Sequence, residues 1–454
     1  MSVRARASTL AVVAVSLALG AGTALAQELL SRPEIPGYQT PTTQYPSPRA
    51  QQYEYLHTAA LAVALVLATY LALGNRSRKA LLVLTAASLA WFGFWRQGCV
   101  CPIGAIQNVA RGLADPSFAL PWTVVVFFAL PLVFALLFGR TFCAAVCPLG
   151  AVQELAAVRP VKVPAWLDHA LGLVPFAYLG VAVVYAATGT AFVICEYDPF
   201  VGFFRLSFSS ANMLVVGLSF LVVGIFIGRP YCRYLCPYGA LLGLCSRVSR
   251  WHVRIPPEEC INCRLCEDAC PYGAIRQPTV PQPPAERLRG RRRLAAMLIL
   301  LPIVVASGAL LGRGLATPLA HLHPRVQLAE RMQRETRTQD MGQPMEPVDA
   351  TTAFRNTGRP VEELYAEALG LRGQFGTFGL WLGAWMGLVI GAKLISLSIR
   401  RRRTDYQPDR ANCVACGRCF WYCPVEQVRL GLIETLPAVQ PEAPASGHVG
   451  SAGD

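Results

Sequence analysis

The sequence predicts an all-α polytopic membrane protein, with about seven transmembrane helices after a signal peptide and a small cysteine-rich module on the cytoplasmic face. Three observations carry that expectation. Hydrophobic residues make up 54% of the chain and charged residues 15%, with a mean hydropathy of +0.40. Several uninterrupted apolar runs are long enough to cross a hydrocarbon core of roughly 30 Å as helices. Most Lys and Arg sit in short loops beside those runs, as the positive-inside rule expects of cytoplasmic loops. The formal net charge of +14 therefore reads as topology, and no soluble basic domain is present to bind nucleic acid.

The elements follow in order. Residues 1–26 read as a secretory signal: Arg4 and Arg6, an apolar stretch from Leu10 to Leu19, then Ala24-Leu25-Ala26. Residues 27–56, rich in Pro, Gln and Thr, are expected to form a disordered periplasmic lead-in. Spans are expected at 57–74, 80–95, 118–138, 168–191, 212–228, 294–312 and 376–397. They divide the chain into a transmembrane core (57–254), a first cysteine motif (255–285), a transmembrane helix (294–312), a periplasmic loop (313–375), a last transmembrane helix (376–397) and a second cysteine motif (405–432). A disordered tail is expected over 433–454. Basic loops at Arg76–Lys79, Arg140 with Lys162, Arg287–Arg293 and Arg400–Arg403 agree on one topology. The expectation is a multi-pass protein of the bacterial inner membrane, in contact with lipid, with its amino terminus periplasmic after signal cleavage.

The sixteen cysteines carry the chemistry. Cys260-x2-Cys263-x2-Cys266-x3-Cys270-Pro271 reads CINCRLCEDACP, and Cys413-x2-Cys416-x2-Cys419-x3-Cys423-Pro424 reads CVACGRCFWYCP. This is the spacing of bacterial ferredoxins, in which three thiolates hold one 4Fe–4S cluster and the fourth cysteine ligates the other. Two 4Fe–4S clusters are therefore expected. The two runs are expected to dock into one module with Cys270 and Cys423 exchanged. A zinc site is the weaker account of eight cysteines in this doubled spacing.

A second pattern is Cys143-x3-Cys147-Pro148 and Cys232-x3-Cys236-Pro237, each just after a span that ends inside. Four thiols there fit a further iron–sulfur cluster or soft metal, or else are metal-free thiols. Arg140 and Arg229 each precede a pair by three residues; membrane-surface anchoring is favoured over compensation of cluster charge. The string Cys-Pro-x-Gly-Ala recurs at 101–105, 147–151, 236–240 and 270–274. Cys99-x-Cys101 and Cys195 fall on the outer side, where a disulfide and a redox or metal site both remain open. A redox site there needs a fourth ligand from elsewhere. No C-x-x-C-H occurs, which argues against covalent c-type haem, and no residue is assigned a catalytic role.

With these motifs, residues 57–430 resemble the NosR/NirI family of membrane polyferredoxins, and NapH-type quinol dehydrogenase subunits share part of the pattern. The resemblance implies a membrane iron–sulfur electron carrier that acts between quinone or cytoplasmic donors and a periplasmic redox partner. It carries over Cys143, Cys147, Cys232, Cys236 and the eight ferredoxin cysteines. NosR-like proteins also bear a periplasmic flavin domain, whereas here about thirty residues precede the first span. The nearest string to its flavin motif, Ser307-Gly308-Ala309, lacks the Thr and falls inside a span. FMN is thus expected to be absent from this chain or to reside on a separate flavin-carrying subunit. The rival reading is a membrane reductase that matures a periplasmic metalloenzyme or thiol through an outward-facing Cys99-x-Cys101.

Overall fold

The structure, a computed structural model, describes residues 51–97, 101–158, 160–206, 211–255, 260–279, 283–342, 347–399 and 401–436. The expected signal peptide, Cys99 and most of the expected tail lie outside the described residues. The described residues are mostly helical, with two short strands. Among the described residues, four helices are long and apolar enough to cross a membrane: Gln52–Gly74, Ala165–Ala187, Glu286–Gly314 and Val361–Ser398. These take up the expected spans at 57–74, 168–191, 294–312 and 376–397. The expected spans at 118–138 and 212–228 are the shorter apolar helices Trp122–Phe138 and Met213–Phe226. The one at 80–95 is the helix Arg78–Ser88 running on into a wider turn over Leu89–Trp95.

Several boundaries differ from those expected, for physical reasons. The first helix begins at Gln51, so residues 51–56 of the expected lead-in are helical. There Glu54 pairs with the buried Arg96 at 2.8 Å, a partner that composition alone does not reveal. The expected loop at 313–375 is helical over Pro324–Asp340 and Asp349–Asn356, and the last helix starts at Val361, well before its apolar stretch. Val326, Ala329 and Met332 pack there against Leu364 and Ala368. This small apolar seam sits under polar outer faces, so window hydropathy misses it.

Glu286–Gly314 and Val361–Ser398 pair through glycine. A Cβ on Gly308 would meet the Gly383 carbonyl at 2.5 Å, one on Gly379 the Gly312 carbonyl at 2.6 Å, and one on Gly387 the Val304 carbonyl at 2.6 Å. Small residues four apart let two membrane helices touch backbone to backbone, where dispersion and not hydrophobic transfer drives association. Gly383→Leu is expected to wedge the pair apart at a cost of about 1–3 kcal/mol. Melting of the purified protein in detergent checks it, since an unchanged midpoint would contradict the packing.

The two cysteine runs meet through their flanks. Ile275–Arg276 pairs antiparallel with Gln407–Pro408 in a two-stranded sheet. Beside it the Asp409 N–H donates to the Ala274 carbonyl at 2.7 Å, and Arg276 pairs with the Asp409 carboxylate at 2.7 Å. The loop after the first span also reaches this unit. Arg76 pairs with the buried Glu426 at 2.9 Å, and Arg78 donates to the Cys416 carbonyl at 3.0 Å.

Candidate metal centres

Both Cys-x2-Cys-x2-Cys runs fold into the same loop. Asn262 and Arg264 in the first, and Ala415 and Gly417 in the second, all have left-handed backbone, with φ of 54°, 63°, 54° and 80°. They stand at matching places, two and four residues after the first cysteine. Such residues turn the chain sharply between thiols, and only Gly417 does so at no steric cost.

The structure mixes the cysteines of the two runs. Cys266 lies within electrostatic reach of Cys260, Cys263 and Cys423, and Cys423 within reach of Cys260 and Cys263. Cys419 lies within reach of Cys413, Cys416 and Cys270. These last four line one small cavity, together with Tyr272, Val414 and Gly417. Each run thus lends its fourth cysteine to the other's trio. A third set forms from Cys143, Cys147, Cys232 and Cys236, all in mutual reach. Pro148 and Pro237 sit in the first turns of short helices capped by Cys147 and Cys236, where proline's missing donor costs nothing. The Cys236 sulfur accepts from the Gly239 N–H at 3.3 Å.

The donor sets fit iron–sulfur clusters. Burial, reinforced by neighbouring negative groups, pushes Cys266 and Cys413 up to about 12 and Cys416 and Cys232 up to about 11. Thiols so buried become thiolates when a metal's positive charge replaces the lost water. Among the described residues no three His, Cys, Asp or Glu side chains converge closely enough to hold a single metal ion.

A buried charge network joins the second and third sets. Glu154 accepts from Arg229 at 3.1 Å, Arg418 at 3.0 Å, Arg78 at 3.3 Å and the Tyr272 hydroxyl at 2.5 Å. Burial alone would raise its carboxyl, but these guanidiniums and the Tyr272 hydrogen bond hold it at about 2. Arg229 is only 1% exposed and donates to the carbonyl oxygens of Cys143 and Ala144. Arg140 is also buried, and it reaches the Ala411 carbonyl at 3.1 Å. The expectation that both arginines anchor the membrane surface is therefore corrected. They are enclosed among the cysteine elements because backbone carbonyls and a carboxylate there take their donors. Sequence reasoning missed Glu154 and Gln153; their signal is position, seven and six residues after Cys147 on the helix that Pro148 opens. Gln153 accepts from the N–H groups of Tyr231 at 3.0 Å and Cys232 at 3.5 Å, and donates to the Cys232 sulfur at 3.3 Å.

The outer cysteines are brought together in part. A Cβ on Gly104 would lie 3.0 Å from the Cys195 sulfur and 3.7 Å from that of Cys101. Burial first, then the nearby Asp198 carboxylate, pushes the Cys101 thiol up to about 12. Burial also raises Asp198, to about 6.

Comparison with known proteins agrees with the cysteine chemistry. A family model described as a 4Fe-4S binding domain matches residues 120–173 and 210–256, which include Cys143, Cys147, Cys232 and Cys236. A second model with the same description matches 253–276, the first ferredoxin run. Protein NirI of Paracoccus denitrificans is 34% identical over 223 residues, 45% of this chain and 32% of its own length. The putative electron transport protein YccM of Escherichia coli is 32% identical over 37% of this chain and 52% of its own. The regulatory protein NosR of Stutzerimonas stutzeri is 29% identical over 44% of this chain and 29% of its own. The chain thus spans about a third of the first relative's length and about half of the second's. No solved structure matches it.

Proposed function

We propose that this NosR/NirI-like membrane chain, with its 4Fe–4S binding domains, passes electrons between quinone or a cytoplasmic donor and a periplasmic redox partner. The observation that carries the reading is the exchange of fourth cysteines, Cys270 beside Cys413, Cys416 and Cys419, and Cys423 beside Cys260, Cys263 and Cys266. That pattern belongs to two-cluster ferredoxins. In this reading those eight thiols hold two 4Fe–4S clusters, and Cys143, Cys147, Cys232 and Cys236 hold a third. Bound clusters supply one-electron carriage at potentials set by charge, hydrogen bonds and exposure. The chain's own residues supply those three terms. Arg229 and Arg140 place positive charge beside the Cys143–Cys147 and Cys232–Cys236 turns, Gln153 donates to the Cys232 sulfur, and Cys147 and Cys236 are buried.

The basic loops support placing the two-run unit on the cytoplasmic face of the inner membrane, with the amino terminus periplasmic. Anaerobic purification with iron and sulfide analysis tests the reading. Three clusters predict about twelve irons per chain, and fewer than about eight would remove even the two ferredoxin sites.

A further inference from the structure

An internal repeat relates the outer cysteines to the third set. Cys101–Gln107 reads CPIGAIQ and Cys147–Gln153 reads CPLGAVQ. Each string opens a helix whose first turn holds its proline, and each glutamine is fully buried. Gln107 Oε1 accepts from the N–H groups of Ile194 at 3.1 Å and Cys195 at 3.3 Å. Gln153 Oε1 does the same for Tyr231 and Cys232. Each glutamine therefore pins the turn that carries the opposing cysteine. The next elements also correspond. Cys236 is followed by a proline in the first turn of Pro237–Arg247, and Asp198 by a proline in the first turn of Pro199–Arg205. Asp198 thus stands where the inner set has its fourth cysteine.

Two buried groups at the outer site lack the partners their chemistry asks for. Gln153 Nε2 donates to the Cys232 sulfur, but Gln107 Nε2 is buried with no hydrogen-bond partner. A buried donor without a partner is costly, so this amide points to an acceptor. Asp198, 5% exposed, caps the Phe200 N–H at 2.9 Å and has no cationic partner among the described residues. Serine or asparagine would cap that turn without burying a charge. A buried carboxylate there is stabilised by a cation that faces it.

We infer that Cys101, Cys195 and Asp198 hold an iron–sulfur cluster, the outer counterpart of the one held by Cys143, Cys147, Cys232 and Cys236. The inference rests on the cluster reading of the inner set and supplies the oxygen ligand that the outer thiols lack. Tyr231 and Tyr178 lie between the two sites, since each hydroxyl is within electrostatic reach of both Asp198 and Cys236. An aromatic pair in that position gives the two sites a short connection through packed protein.

The test compares the full-length protein, purified anaerobically in detergent, with Asp198→Asn and Cys195→Ser, using iron analysis, Mössbauer and EPR spectra. Each variant is expected to lose at least about two irons per chain, together with one spectral component, while the components lost in Cys413→Ser persist. Unchanged iron and spectra in both variants overturn the inference. So does a Cys101–Cys195 disulfide mapped in the anaerobic protein. If Asp198→Asn does not fold, Asp198→Cys is read in its place. Retained iron with an altered component is expected, and an unchanged spectrum overturns the inference. Wild-type protein with fewer than about eight irons overturns the cluster reading and this one together, whereas a full count with indifferent outer variants overturns this one alone.

Discussion

Replacing Cys270 with serine is expected to empty the site of the other run. The Cys270 thiol sits with Cys413, Cys416 and Cys419 of the other run. Cys270→Ser should therefore lose about four irons and share the spectral deficit of Cys413→Ser, while Cys423→Ser should share that of Cys260→Ser. Both pairings run against sequence order, which makes the cross-comparison decisive. If Cys270→Ser instead matched Cys260→Ser, each run would hold its own cluster and the exchange would be wrong. Serine keeps a weak oxygen donor at the site, so a residual cluster with an altered spectrum counts as the same outcome. The measurement is iron and sulfide content with low-temperature EPR of the four variants.

Glu154→Ala is expected to be the most damaging change away from the cysteines. The carboxylate is shared by Arg229, Arg418, Arg78 and the Tyr272 hydroxyl in a space closed to water. Its removal leaves Arg229, itself buried, without its carboxylate partner, and breaking a buried pair from one side costs roughly 3–5 kcal/mol. The consequences should reach both neighbouring sets, because Arg229 also holds the Cys143 carbonyl and Arg78 the Cys416 carbonyl. Expected results are a markedly lower melting temperature in detergent and weaker retention of iron. Glu154→Gln should fall between wild type and alanine, since the amide keeps an acceptor but loses the charge. A Glu154→Ala protein with wild-type melting and iron would show the network to be dispensable.

Much of this site was legible in the residues themselves. The doubled Cys-x2-Cys-x2-Cys-x3-Cys-Pro spacing and the two Cys-x3-Cys-Pro pairs point to iron–sulfur chemistry, because ligand spacing along a turn is a local property. The apolar runs were legible for the same reason. Less legible were the parts that depend on neighbours distant in sequence. Arg140 and Arg229 looked like interfacial anchors because a sequence window sees only the span beside them. Their burial follows from carbonyls at Ala411, Cys143 and Ala144 that come from other segments. Glu154 looked like one acid among others, and Gln107 and Gln153 like ordinary helical polar residues.

By itself, then, the sequence determined that the chain enters a membrane, that it carries iron–sulfur ligand spacings, and that a Cys-Pro-x-Gly-Ala turn is reused four times. Each of these is set within a few residues, by transfer free energy along a helix or by the reach of a cysteine in a tight turn. Tertiary structure alone decided which thiols share a space, which charges close around Glu154, and that Gln107 pins the turn carrying Cys195. Those outcomes join residues from 75 to 264 positions apart in the chain. Buried donors, acceptors and charges must find partners wherever the fold supplies them, and local pattern does not encode that requirement.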